Sequence, residues 1–123
     1  SAPSLQYAHK SQQRASKQGF DWPDPHGALD KIAEEAAEVR AALLDADPES
    51  IATEIGDLLF SVVNVARHLD VDAESALRSA VRKFRSRVES VEALARRDGR
   101  ELSQMTLDQL DELWEVVKKG PTH

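Results

Sequence analysis

A helix that is apolar on two opposite sides has to sit in the middle of something, and the stretch from Pro48 to Leu69 reads as such a helix. Ile51, Ile55, Leu58, Val62, Val65 and Leu69 recur at alternating steps of three and four and make one apolar face. Phe60 and Val63, with Gly56 near them, make a second on the other side. Between the two runs a polar stripe of Glu54, Asp57, Ser61, Asn64 and His68. A missing side chain at Gly56 weakens the helix by roughly 1 kcal/mol relative to Ala and opens room for another helix to approach. A chain of 123 residues has few surfaces with which to cover both faces, so helices from a second copy are expected to complete the bundle.

The segments around it also read as helices. Leu5 to Lys17 contains no Pro or Gly and is rich in Gln, Lys, Arg and Ala, which predicts a first helix stopped by Gly19. GFDWPDPHG follows as a loop anchored by buried Phe20 and Trp22 rings, and Asp24-Pro25 supplies the N-cap and first position of a second helix. There Leu29, Ile32, Ala36, Val39 and Leu43 mark the expected core face. Asp47-Pro48 repeats the same start signal for the third helix. Asp72 caps a fourth, with Ala76, Ala80, Phe84, Val88, Val91 and Leu94 or Ala95 as its buried stripe. Arg96 to Ser103 is a polar connection, and Thr106 with Gln109 forms a capping box opening a last helix that Gly120-Pro121 stops. On it Leu107, Leu110, Trp114 and Val117 share a face. The prediction is an all-α bundle of four to five helices in a single domain spanning 1–123, completed by homodimerisation.

Acidic residues are placed unusually within that frame. Glu35 and Glu38 lie three apart, about 60° around their helix, and Glu54 and Asp57 repeat the spacing on the next. Taken alone, EEAAE is an ordinary solvated helix surface. The second pair sits on the helix that must be largely buried, and buried carboxylates need a cationic partner. Lys or Arg would serve, and so would a divalent metal, since carboxylate pairs on facing helices are a known way to build a cage for Mg²⁺ or Mn²⁺. The fourth helix is basic, with Arg78, Arg82, Lys83, Arg85 and Arg87. Lys83 and Arg87, one turn apart, suit a shared anion such as phosphate, or else simply neutralise neighbouring acids.

Composition removes several functions. Net charge is −6, which argues against binding to nucleic-acid polymers or anionic membranes. Cys is absent, so neither a disulfide framework nor thiolate ligands exist, in keeping with a cytoplasmic setting. SAPSLQYAHK carries no signal-type apolar run, and no stretch approaches the roughly 18 apolar residues of a membrane span. Ser61 lacks the partners of a catalytic triad, and there is no glycine-rich phosphate loop. His68 reads as a helix-end hydrogen-bonding residue, and Trp114 as a core anchor.

RASKQGFDWPD, DKIAEEAAEV, EIGDLLFSVVNVARHL, KFRSRVESVE and LDELWEVVK, in that order, resemble the MazG family of nucleoside triphosphate pyrophosphohydrolases, within the all-α NTP pyrophosphatase superfamily. The resemblance covers nearly the whole chain. It implies Mg²⁺-dependent hydrolysis of a nucleoside or deoxynucleoside triphosphate between the α and β phosphates, with Mn²⁺ as a substitute. The family's metal positions fall on Glu35, Glu38, Glu54 and Asp57, and its nucleotide-contacting positions on Lys31, Lys83, Arg87 and Trp114. Glu38, or failing it Glu34, the remaining acid of EExxE, is expected to take a proton from the attacking water. A superfamily relative specialised for dCTP, dUTP or phosphoribosyl-ATP would carry the same acids. A non-catalytic dimerisation module would keep the apolar faces without needing the polar stripe.

Overall fold

Pro3 to Gly120 are described by a computed structural model, and they contain five α-helices and no strand. The helices are α1 (Ser4–Ser16), α2 (Pro25–Asp45), α3 (Pro48–His68), α4 (Ala73–Arg97) and α5 (Leu107–Lys119), with a single 3₁₀ turn at Leu102–Gln104 inside the connection before α5. The chain divides into two compact units, one up to Ala76 and one from Leu77, with the boundary inside α4.

The start signals act as their chemistry requires. Asp24 accepts the backbone N–H of His26 at 2.8 Å and of Gly27 at 3.3 Å, with Pro25 in the first turn where no N–H is needed. Asp47 accepts from Glu49 at 3.3 Å, and Asp72 from Glu74 at 3.1 Å. Thr106 and Gln109 close both bonds of the capping box, at 3.2 and 2.9 Å. Gly19 turns the chain after α1 with φ of 96°, a left-handed value that disfavours any side chain. At the far end α5 stops at Gly120, and Pro121, the other half of that expected stop, lies outside the described residues.

In the first unit α3 lies against both α2 and α1, the central position its two apolar faces require. Gln12 of α1, buried, donates to the Phe60 carbonyl of α3 at 2.9 Å. The buried seam, however, differs from the expected stripes. On α2 it is Ala28, Glu35 and Ala42, two turns apart, and on α3 it is Ser61, Val63 and Asn64. Leu29 and Leu43 remain 47% and 60% exposed, and Ile55, Val62 and Leu69 are open as well. Small residues let α2 and α3 approach closely, while the larger apolar side chains face outward. Apolar periodicity marks a surface that wants cover without saying whether the same chain provides it. The space beside Gly56 is likewise open within the chain.

The loop rings also depart from expectation. Phe20 is 76% exposed, and Trp22 is partly open with its ring seated over Gly27, where a Cβ would collide with it. A loop that short has no second layer to bury two large rings.

In the second unit Val91 and Ala95 of α4 are buried, and the ring of Phe84 meets that of Trp114 on α5 at 5.7 Å between centroids, tilted by 51°. Phe84, Val88, Val91, Leu102, Leu107, Leu110 and Trp114 border an apolar groove of about 390 Å³.

Candidate active site

The polar stripe of α3 meets the acidic face of α2. Oxygen atoms of Glu35, Glu54 and Asp57 lie within 4.8 Å of one another, so two helices deliver three carboxylates to one point. Glu35 is buried at 8% exposure, Glu54 is half-buried and Asp57 is open. Lys31, one turn before Glu35, bonds its Oε1 at 3.0 Å. The other oxygen, Oε2, is buried with no hydrogen-bond partner. An orphaned carboxylate oxygen in the interior is costly, and a hard cation at the trio would satisfy it. The donor set is entirely oxygen, which fits Mg²⁺ or Mn²⁺ and does not suit zinc or copper.

The electrostatics point the same way. Partial burial first, then the charges of Asp57, Glu38 and Glu35, push the Glu54 carboxyl above its ordinary value, with Lys31 opposing. Lys31 itself is held more firmly protonated by its bond to Glu35 and by the charges of Glu35, Glu34 and Asp57. The acids therefore repel one another, and a single ammonium only partly relieves it.

Glu38 and Glu34 are exposed on α2; neither belongs to the close trio, although the charge of Glu38 reaches Glu54. Lys83, Arg87 and Trp114 belong to the second unit. There the Arg87 guanidinium stands 5.9 Å from the Trp114 ring centroid, a cation–π contact, while Lys83 is exposed.

Beside the trio is a cavity of about 220 Å³ bordered by Trp22, Lys31, Glu35, Asp57, Phe60, Ser61 and Asn64. Two of its bordering residues, Trp22 and Asn64, are linked through Asp21. One oxygen of that carboxylate accepts from Arg67 Nη2 at 2.6 Å, His68 Nε2 at 2.8 Å and the Trp22 backbone N–H at 2.8 Å. Hydrogen bonding to Arg67 above all, opposed by partial burial and aided by His68, holds the Asp21 carboxyl down at about 2. His68 thus is a hydrogen-bonding residue at a helix end, as its position suggests. Asp21 and Arg67 carry no sequence signal of their partnership, because 46 residues separate two ordinary charged side chains.

Comparison with known proteins agrees with this architecture. The MazG nucleotide pyrophosphohydrolase domain family matches residues 24–92, which include α2, α3 and most of α4. The chain is 48% identical over 118 residues to the nucleoside triphosphate pyrophosphohydrolase/pyrophosphatase MazG of Thermotoga maritima, covering 96% of this chain and 45% of that protein. It is 40% identical over 121 residues to a nucleoside triphosphate pyrophosphohydrolase of Escherichia coli, covering 97% and 46% respectively. A shorter match, 44% over 59 residues, is to the histidine biosynthesis bifunctional protein HisIE of Synechocystis, covering 48% of this chain and 26% of that one. The chain spans a little under half the length of the two full-length matches.

Proposed function

We propose, from the premise that this chain belongs to the MazG nucleotide pyrophosphohydrolase family, that it hydrolyses nucleoside or deoxynucleoside triphosphates between the α and β phosphates, releasing the monophosphate and pyrophosphate. The observation that carries this reading is the orphaned, buried Glu35 Oε2 at the meeting point of Glu54 and Asp57. Glu35, Glu54 and Asp57 would hold Mg²⁺, with Mn²⁺ able to replace it, and Glu38 is the proposed fourth acid. When bound, the cation neutralises triphosphate charge and aligns the phosphates for in-line displacement.

The chain's own groups do the rest. Lys31, whose ammonium bonds Glu35 of the trio, is proposed to shift toward the departing pyrophosphate. Glu38, exposed and not drawn into the close trio, is our choice to accept the proton of the attacking water, with Glu34 second. Lys83, Arg87 and Trp114 are proposed as nucleotide contacts because they stand at the family's motif positions. The open apolar side chains of α2 and α3 support assembly as a homodimer, or a higher oligomer, with light scattering expected at twice the chain mass or more. No described helix is long and apolar enough to cross a membrane, and we place the reaction in the cytoplasm, where its substrates are.

A panel of NTPs and dNTPs with Mg²⁺ tests the reading. Pyrophosphate is the expected first inorganic product, and orthophosphate in its place overturns α–β cleavage.

One prediction follows from the raised Glu54 carboxyl. A folded-state value above the unfolded one means that stability is present at low pH and lost as pH rises through the raised value. Metal-free protein at neutral pH therefore carries repulsion that Glu54→Gln relieves, and its thermal midpoint in chelator should rise. Adding Mg²⁺ at 100 times its dissociation constant should stabilise the wild type by about 2.7 kcal/mol and the variant much less. Equal metal stabilisation of both would place the cation elsewhere.

A further inference from the structure

The cavity beside the acid trio has a polar group whose direction is fixed by a residue outside its lining. Asn64 is buried at 9% exposure, and its Oδ1 accepts Arg67 Nη2 at 2.7 Å. That bond orients the amide, leaving Nδ2 on the opposite side with no hydrogen-bond partner among the described residues. Among the cavity's other donors, Lys31 bonds Glu35 at 3.0 Å and the Ser61 hydroxyl donates to the Leu58 carbonyl at 2.7 Å, while the Trp22 indole N–H is a further donor at its border. Trp22 borders the same cavity as Asn64 and offers an aromatic surface suited to a planar ring. Both are held by one carboxylate: Asp21 grips the Arg67 that turns Asn64, and accepts the backbone N–H of Trp22.

We propose that Asp21 is a positioning residue which, through Arg67, presents the Asn64 amide nitrogen to the cavity that Trp22 also borders, so that the cavity favours a nucleobase bearing a carbonyl oxygen at its edge. This rests on the nucleotide-hydrolysing reading above and specifies the base it takes. A carbonyl accepts from Nδ2, whereas the amino group of adenine confronts that donor with another donor and leaves both unsatisfied. Asp21 touches no substrate; it sets the rotation of Asn64 and the seat of Trp22.

Inosine and adenosine triphosphates differ at that edge by a carbonyl in place of an amino group, and make the discriminating pair. The wild-type chain is expected to prefer the inosine nucleotide by about tenfold in kcat/KM. Asp21→Asn should bring the ratio close to one by raising KM for the inosine nucleotide, with kcat within about twofold. Arg67→Gln should do the same, and both variants must keep the helical circular dichroism of the wild type. In a Trp114→Phe background, Asp21→Asn should also make Trp22 fluorescence more accessible to acrylamide. An unchanged ratio and unchanged quenching overturn the proposal, as does a loss in kcat alone. Should the wild type hydrolyse neither nucleotide, the functional reading and the base preference both fail, and the quenching arm still decides whether Asp21 seats Trp22.

Discussion

Asp57→Asn is expected to lower Mg²⁺-dependent pyrophosphate release by at least about 10²-fold, the size of effect seen when one preorganised electrostatic group is removed from a reacting site. The substitution keeps the shape of the side chain and removes its charge. Asp57 is exposed, so the fold does not depend on it. It is also the charge whose repulsion acts most strongly on Glu54, and its loss should leave metal-free protein at least as stable as the wild type. Activity and stability thus move in opposite directions, which a merely damaged protein cannot do. Activity within twofold of wild type would return the acids to the status of a solvated helix face.

Val63→Asp should abolish cooperative folding. Val63, at 1% exposure, is the largest side chain fully buried among the described residues. An unpaired carboxylate there costs several kcal/mol, comparable with the whole stability of a small domain, for which about 5–15 kcal/mol is typical. Val62, its neighbour on the helix, is 45% exposed and supplies the comparison. Val62→Asp should retain helical circular dichroism and release single chains from the assembly, because the face it spoils is one that we assign to a second copy. Retained cooperative unfolding in Val63→Asp would mean that the interior of this unit lies elsewhere.

Much of this was legible in the residues and some was not, for identifiable reasons. Helix limits were readable because Asp24-Pro25, Asp47-Pro48 and Thr106 with Gln109 are local devices whose hydrogen bonds close within three residues. Of the four acids expected to converge, Glu35, Glu54 and Asp57 do lie close together, as same-face spacing on two successive helices favours, while Glu38 stays outside the close trio. What periodicity could not tell was which apolar face the chain covers for itself. Leu29 and Leu43 carry the strong hydrophobic signal on α2, yet Ala28 and Ala42 lie in the seam, because close helix contact selects small side chains over greasy ones. Phe20 and Trp22 misled similarly: ring size argued for burial, and their loop has nothing to bury them with. The Asp21–Arg67 link was beyond reach, being a long-range pairing of residue types that occur on any surface, and without it the local Arg67–Asn64 contact, three residues apart on α3, carried no signal of its role.

Direct titration of Mn²⁺, followed by the loss of its free-ion paramagnetic signal, addresses the carboxylate cage without requiring any substrate. The wild-type chain is expected to bind the ion saturably, with Mg²⁺ competing for it, and Glu35→Gln, Glu54→Gln and Asp57→Asn should each weaken binding sharply. Undiminished binding in a protein carrying all three substitutions together would contradict the account at its root.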